Sequence, residues 1–255
     1  MLSQKQLKYL KSLHRRKYRQ KYGNFLAEGE KTACEIFRQR YFEIEGVYGL
    51  AGWLEDNRPA LSFLNPGVVH EISERELKAI SLLHTPNRVF IVLKQKAAPY
   101  DISELNHSIS LYLDEIRDPG NMGTILRIAD WFGIRRVFCS GGCVEFYNPR
   151  VIQASMGSFL RVRTATVPLA RLKEQLPGVP ILGMVLDGIS VFEKKWPPAA
   201  LLVVGNESQG IRPASSRLLT GKIAIPRPPG GGAESLNAAV ATGIVCAVVQ
   251  QSRRL

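Results

Sequence analysis

From residue 109 onward the chain alternates short apolar runs, at 109–114, 136–139, 180–186, 200–204 and 222–225, with intervening helical stretches. Neighbouring parallel strands need long crossover connections, usually helices, so this alternation predicts an α/β fold built on a parallel sheet. Ligands of such sheets bind beyond the carboxyl ends of the strands. Residues that directly follow apolar runs are therefore the first place to look for chemistry.

The amino-terminal part reads differently. Leu7, Leu10 and Leu13 recur among cations and predict a helix over 4–22, and a second is expected over 30–41. Runs at 46–50, 68–72 and 88–93 read as strands, with a polar helical stretch at 73–83 before the last. Residues 1–94 thus form a small α/β unit, residues 95–107 read as a linker, and residues 108–255 make a second domain.

Charge narrows the partner. Thirty-four Lys and Arg against 22 Asp and Glu give a net charge of +12. That excess favours a polyanion through phosphate contacts and counterion release. The first 21 residues alone carry eight Lys and Arg and no carboxylate. Lys8, Lys11, Arg15, Arg16, Lys17 and Arg19, with Tyr18 and Tyr22 as stacking surfaces, are the candidate RNA contacts. A solvated basic helix without a partner would have the same composition. The apolar stretch 238–249 is shorter than the about 20 residues a membrane span needs, so no membrane partner is expected. Cys34, Cys139, Cys143 and Cys246 lack metal-site spacing and read as reduced thiols of a cytoplasmic protein.

Three segments follow apolar runs. In the first, Pro119 and Gly120 set a turn, Asn121 can cap a helix over 124–133, and Gly133 can end it. Ile125, Ile128, Ala129 and Phe132 share an apolar face, which leaves Arg127 on another side. An exposed surface arginine would look the same. The second segment is Gly205, Asn206 and Glu207 up to Gly210, where the first glycine would let a ligand approach the backbone. The third runs from Ile225 through a Pro and Gly loop to Ser235, Leu236 and Asn237, with Ser235 a plausible cap for the helix that follows. That helix is apolar all round, which suggests a deep position or a subunit interface.

Several classes are excluded. The chain lacks a G-x-G-x-x-G turn, a P-loop and a G-x-S-x-G elbow, and has no histidine after His107.

In this order, Asn121, Met122 and Gly123 with Arg127, then Gly205, Asn206 and Glu207 with Gly210, then Ser235, Leu236 and Asn237 with Gly243, resemble three signature motifs. They are those of the SpoU (TrmH) RNA 2′-O-methyltransferases, and residues 148–157 are similar to that family's usual intervening stretch. The resemblance implies a SPOUT parallel-sheet domain with a carboxyl-terminal trefoil knot, an exception to the rule that chains do not thread. It also implies S-adenosylmethionine as cofactor, a homodimer with interfacial sites, and an RNA substrate, ribosomal RNA ahead of transfer RNA. Residues 1–94 look like the ribosomal L30e-like substrate-binding domain of many members.

Carried over by motif position, Gly205, Ile225 and Leu236 would contact the cofactor, and Asn121, Arg127, Glu207, Ser235 and Asn237 would line the reacting site, with no metal required. Arg227 departs from the family's usual methionine, and the loop 228–234 is longer than usual. Two other readings stay open at this stage: a catalytically silent RNA-binding or ribosome-assembly protein of the same fold, and a methyltransferase acting on DNA or protein.

Overall fold

The computed structural model describes residues 1–252 apart from Ala98, Asp101, Pro229 and Gly231, and omits the side chain of Glu104. Parts of the expected linker and of the loop 228–234 therefore lie outside the described residues. Two compact units emerge: Met1–Ala97 with Glu145–Leu160, and Ala98–Val144 with Arg161–Leu255.

The first unit carries a four-stranded mixed sheet of β1 (Asn24–Glu28), β2 (Ile44–Gly49), β3 (Val69–Glu71) and β4 (Val89–Lys94), in the order β1-β4-β2-β3. Strand β4 lies inside the sheet, and clusters of apolar side chains cover both of its faces. Val89, Ile91 and Leu93 join Phe25, Ile36, Phe37 and Trp53 on one side, while Phe90 and Val92 join Leu10, Leu13, Leu26 and Ile80 on the other. Ile152, Phe159 and Leu160 complete the first of these clusters. This unit thus takes in Glu145–Leu160, which the sequence reading groups with the second domain.

The helix expected over 4–22 is two helices, Gln4–Ser12 and Arg16–Tyr22. Ser3 and Gln6 form a capping box that starts the first. The break leaves the carbonyls of Leu13 and His14 without helical donors, and Arg19 Nη1 donates to both at 2.9 Å. Arg19 also donates from Nη2 to Glu145 Oε2 at 2.6 Å, and its side chain is only 2% exposed. Among the cations expected to meet RNA, Arg19 is therefore a structural residue. Lys8, Lys11, Arg15, Arg16 and Lys17 remain exposed.

The second unit holds six parallel strands: β5 (Ile109–Leu113), β6 (Arg136–Cys139), β7 (Arg163–Thr166), β8 (Ile181–Ser190), β9 (Ala200–Val204) and β10 (Gly221–Ala224). Their order, β10-β8-β9-β5-β6-β7, confirms the expected parallel α/β sheet. Tyr112, Phe138, Ile181, Leu201 and Val203 pack on one face with Leu169, Leu172 and Leu176. The helix Pro119–Trp131 buries Met122, Ile125, Leu126 and Ala129 and packs against the helix Ala238–Ser252. Gly243 lies against Ile128, where a Cβ would make an ordinary van der Waals contact at 3.6 Å.

Two strands, β1 and β7, are absent from the sequence reading. Strand β1 has residues buried on both faces and so no polar alternation, and β7 reads Arg, Thr, Ala, Thr at the sheet edge with no apolar run.

Removing one partner of a buried ion pair costs about 3–5 kcal/mol, whereas trimming an exposed lysine costs under about 0.5 kcal/mol. Arg19→Ala is accordingly expected to destabilise the protein by about 3 kcal/mol in denaturant titration, and Lys17→Ala to leave it nearly unchanged. Equal, small losses would mean that Arg19 is not a structural residue.

Candidate active site

Strands β5 and β9 are parallel neighbours, with Leu113 paired to Val204, so the segments that follow them emerge at the same end of the sheet. After β5, Asp114 donates its N–H to Val204 O, and Glu115 turns the chain with φ 63°. A left-handed conformation costs a side-chain-bearing residue on the order of 1–2 kcal/mol, so it must be held. Glu115 N–H donates to Ser140 Oγ at 3.0 Å, its carbonyl accepts from Asn206 Nδ2 at 2.9 Å, and its Oε2 accepts from Arg117 Nη2 at 2.7 Å. Gly142 makes room for the Glu115 carboxylate, which a Cβ at that position would overlap.

The helix of the first motif begins at Pro119, capped by Asp118, whose Oδ1 accepts from Asn121 N at 2.7 Å. This corrects the expected cap: Asn121 lies inside the first turn, which frees its amide to point away from the helix backbone. Gly133, with φ 69°, follows the last turn as expected.

The second motif is a closed loop. Asn206 and Gly210 exchange backbone hydrogen bonds of 3.0 and 2.9 Å, and Asn206 Oδ1 accepts from the N–H groups of Ser208 and Gln209. Gly205 is required by this closure, because a Cβ would sit 2.3 Å from the carbonyl carbon of Gly210. The loop itself, and not only a ligand, demands glycine here.

In the third motif Asn237, and not Ser235, caps the final helix: its Oδ1 accepts from Ala239 N at 2.9 Å and Val240 N at 3.2 Å. Ser235 and Leu236 lie exposed before it, and Ile225 is half-buried just after β10. Arg227, at the departure from the family pattern, donates from Nη1 to Ala233 O at 2.7 Å and so bridges the two ends of its loop.

Three expected site residues meet. Asn237 Nδ2 donates to Asn121 Oδ1 at 2.8 Å, and Asn121 Nδ2 donates to Glu207 Oε1. One side chain from each motif thus joins a single relay. Arg127 does not: it is exposed on the helix Pro119–Trp131 and makes no hydrogen bond or ion pair with another described residue. Ser235 is likewise without a hydrogen-bond partner among the described residues.

The sequence reading missed a second network. Asp114 is fully buried, and its oxygens accept from Arg212 N and Nε, both at 2.9 Å, with Arg212 Nη2 at 2.7 Å. Arg212 Nη1 also lies 3.2 Å from Glu115 Oε1. The Asp114 hydrogen bond pushes the Arg212 pKa up against the opposing effect of its burial. The signal was available as an acidic pair at the end of a buried strand.

Residues 108–247 match the SpoU rRNA Methylase family, and residues 4–90 match the MRM3-like substrate binding domain. The chain is 28% identical over 239 residues to the 23S rRNA (guanosine(2553)-2′-O)-methyltransferase RlmP of Bacillus subtilis, covering 92% of each. Its fold superposes with a TM-score of 0.87 on a TrmH-family protein from Porphyromonas gingivalis, at 37% identity and 100% coverage of both chains. A rRNA methyltransferase from Sinorhizobium meliloti, solved with AdoMet bound, shares the fold at 24% identity and a TM-score of 0.85, over 98% of this chain and 97% of that one.

Aspartate caps a helix as well as asparagine does but cannot donate to Asn121, whereas alanine does neither. Asn237→Ala is expected to lower stability by about 1 kcal/mol and Asn237→Asp by clearly less in denaturant titration. Equal losses in the two variants would show that Asn237 contributes no cap.

Proposed function

The chain belongs to the SpoU rRNA methylase family, and on that ground we propose that it transfers a methyl group from S-adenosylmethionine to a ribose 2′-oxygen of ribosomal RNA. The relay of Asn237, Asn121 and Glu207 carries the reading, because it draws the three motifs of the family onto one point at the carboxyl ends of the strands. The similarity to a 23S rRNA 2′-O-methyltransferase over nearly the whole length favours ribosomal RNA.

The residues present fit the cofactor. Half-buried Ile225 and exposed Leu236 offer apolar surface to an adenosine on either side of the loop closed by Arg227. Exposed Leu186 and Ile189 on β8, the latter in register with Ile223 of β10, add to it. Gly205 opens the second motif at the end of β9. When bound, S-adenosylmethionine supplies an activated methyl group, so the protein's task is alignment and removal of a hydroxyl proton.

Asn121, Glu207 and Asn237 hold the wall of the reacting site rigid, with Ser235 offering a free hydroxyl beside them. Arg127 grips the neighbouring RNA phosphate with its planar fork, and phosphate or water takes the proton, since a guanidinium with a pKa above about 12 is a poor base. Arg127 joins the site from the second subunit of a homodimer. Support for the dimer comes from the helix Ala238–Ser252, where Val240 is 52% exposed and Ala247 is exposed on a helix with no charged residue.

The trefoil knot is part of the proposal. Its support is the return of the chain from β10, at one edge of the sheet, to a helix packed on Pro119–Trp131, the helix that follows β5. Residues 1–94, their core completed by Glu145–Leu160, serve as the L30e-like unit that selects RNA, with 95–107 as linker and the rest of 108–255 as the methyltransferase domain; the match to a substrate binding domain over 4–90 supports the amino-terminal assignment.

Mapping 2′-O-methyl groups in total RNA with and without the gene tests the activity; an unchanged ribosomal RNA map would refute it. Arg127→Lys is expected to lower kcat/KM at least about ten-fold, because an ammonium cannot grip a phosphate bidentately; full turnover at unchanged RNA affinity would refute that role. Replacing Lys8, Lys11 and Lys17 together by alanine should weaken RNA binding and flatten its salt dependence by about 0.7 log units per log unit of salt for each phosphate no longer neutralised. Unchanged binding would remove these lysines from the RNA surface.

A further inference from the structure

The closed loop after β9 is not placed by its internal hydrogen bonds. Its internal hydrogen bonds, from Asn206 to Gly210 and to Ser208 and Gln209, hold its shape but would survive a rigid swing about the ends. Gly205 and Gly210, the latter with φ 67°, make such a swing easy. The hydrogen bond from Asn121 to Glu207 and two ties to the turn after β5 oppose it. Asn206 Nδ2 donates to Glu115 O at 2.9 Å, and Arg212, at the far end, engages Asp114 through N, Nε and Nη2 and Glu115 through Nη1.

The second tie is the stronger. It is charge-assisted, and Asp114, with no solvent contact, finds its countercharge in Arg212. Arg212 keeps a side-chain exposure of 41%, so it acts as an outer brace on a buried anchor. Its geometry also suits arginine alone, because Nε and Nη2 meet Asp114 while Nη1 reaches Glu115, a planar three-point contact that a lysine ammonium cannot make.

We infer that Arg212 is a positioning residue: clamped on Asp114 and Glu115, it sets the place of the loop 205–210, and through it the place of Glu207 beside Asn121 and of Gly205 at the cofactor. The importance of that placement for S-adenosylmethionine rests on the proposed function; the clamp itself does not. No hydrogen bond to substrate is assigned to Arg212, and its effect passes through the loop.

The full-length protein decides the matter in Arg212→Ala, Arg212→Lys and the paired variant Asp114→Asn with Arg212→Gln, the last leaving no buried charge uncompensated. Hydrogen exchange of amides 205–211 is expected to quicken at least about ten-fold in all three, while the melting temperature of the paired variant and the protection of the helix Pro119–Trp131 hold. In calorimetry, affinity for S-adenosylmethionine should fall at least about ten-fold, and the KM for S-adenosylmethionine should rise by more than kcat falls. Loop exchange equal to that of the unaltered protein would overturn the inference. So would uniform loss of protection throughout the chain in the paired variant, which would make Arg212 a general stabiliser. Failure of the unaltered protein to bind S-adenosylmethionine would count against the proposed function and leave the exchange measurement to decide the clamp.

Discussion

A carboxylate shut away from water must either find a countercharge at contact distance or give up its charge. Asp114 is in that position at the end of β5, and the guanidinium of Arg212 answers it from beyond the loop that follows β9. The pairing of β5 with β9 brings the two segments to one end of the sheet. The ion pair then decides how they lie there. Glu115 can hold its left-handed turn because Ser140, Asn206, Arg117 and Arg212 each engage it, and these contacts offset a strain of order 1–2 kcal/mol.

On this frame the relay of two amides has one possible sense. Asn237 Oδ1 is fixed as an acceptor by the N–H groups at the start of the last helix, so its Nδ2 must be the donor to Asn121. Asn121 then presents Oδ1 to Asn237 and is left with Nδ2 for Glu207. The usual ambiguity of amide orientation is removed by a helix at one end and a carboxylate at the other. A carboxylate at the end of such a chain also complements the positive end of the helix it leads back to.

The sequence was informative where a segment's environment leaves a periodic trace. All five apolar runs from residue 109 onward became strands of one parallel sheet, and the three motifs lie at its carboxyl ends. Strand β1 was illegible because a strand buried on both faces has no alternation to detect, and β7 because an edge strand can be held by its neighbour without apolar residues. The caps went astray for a related reason. Asp118, Asn121, Ser235 and Asn237 are all capable cap residues, and only packing decides which stands at the first turn. Relations between side chains distant in sequence, such as Asp114 with Arg212, leave no local pattern at all.

Arg19 shows the limit of reading charge as function. Eight cations in the first 21 residues look alike on paper, yet the helix break after Ser12 leaves two carbonyls without helical donors, and Arg19 is turned inward to satisfy both. Its countercharge, Glu145, belongs to the stretch Glu145–Leu160, which lies inside the span 108–247 matched to the methylase family but completes the core of the first unit through Ile152, Phe159 and Leu160. A chain cut after Ala97 would therefore leave Phe25 and Phe42 facing water and Arg19 without its carboxylate. The unit that meets RNA in the proposed function is thus not a removable appendage. Part of its core is encoded within the sequence of the methylase, so the two could not have been exchanged independently without rebuilding that core.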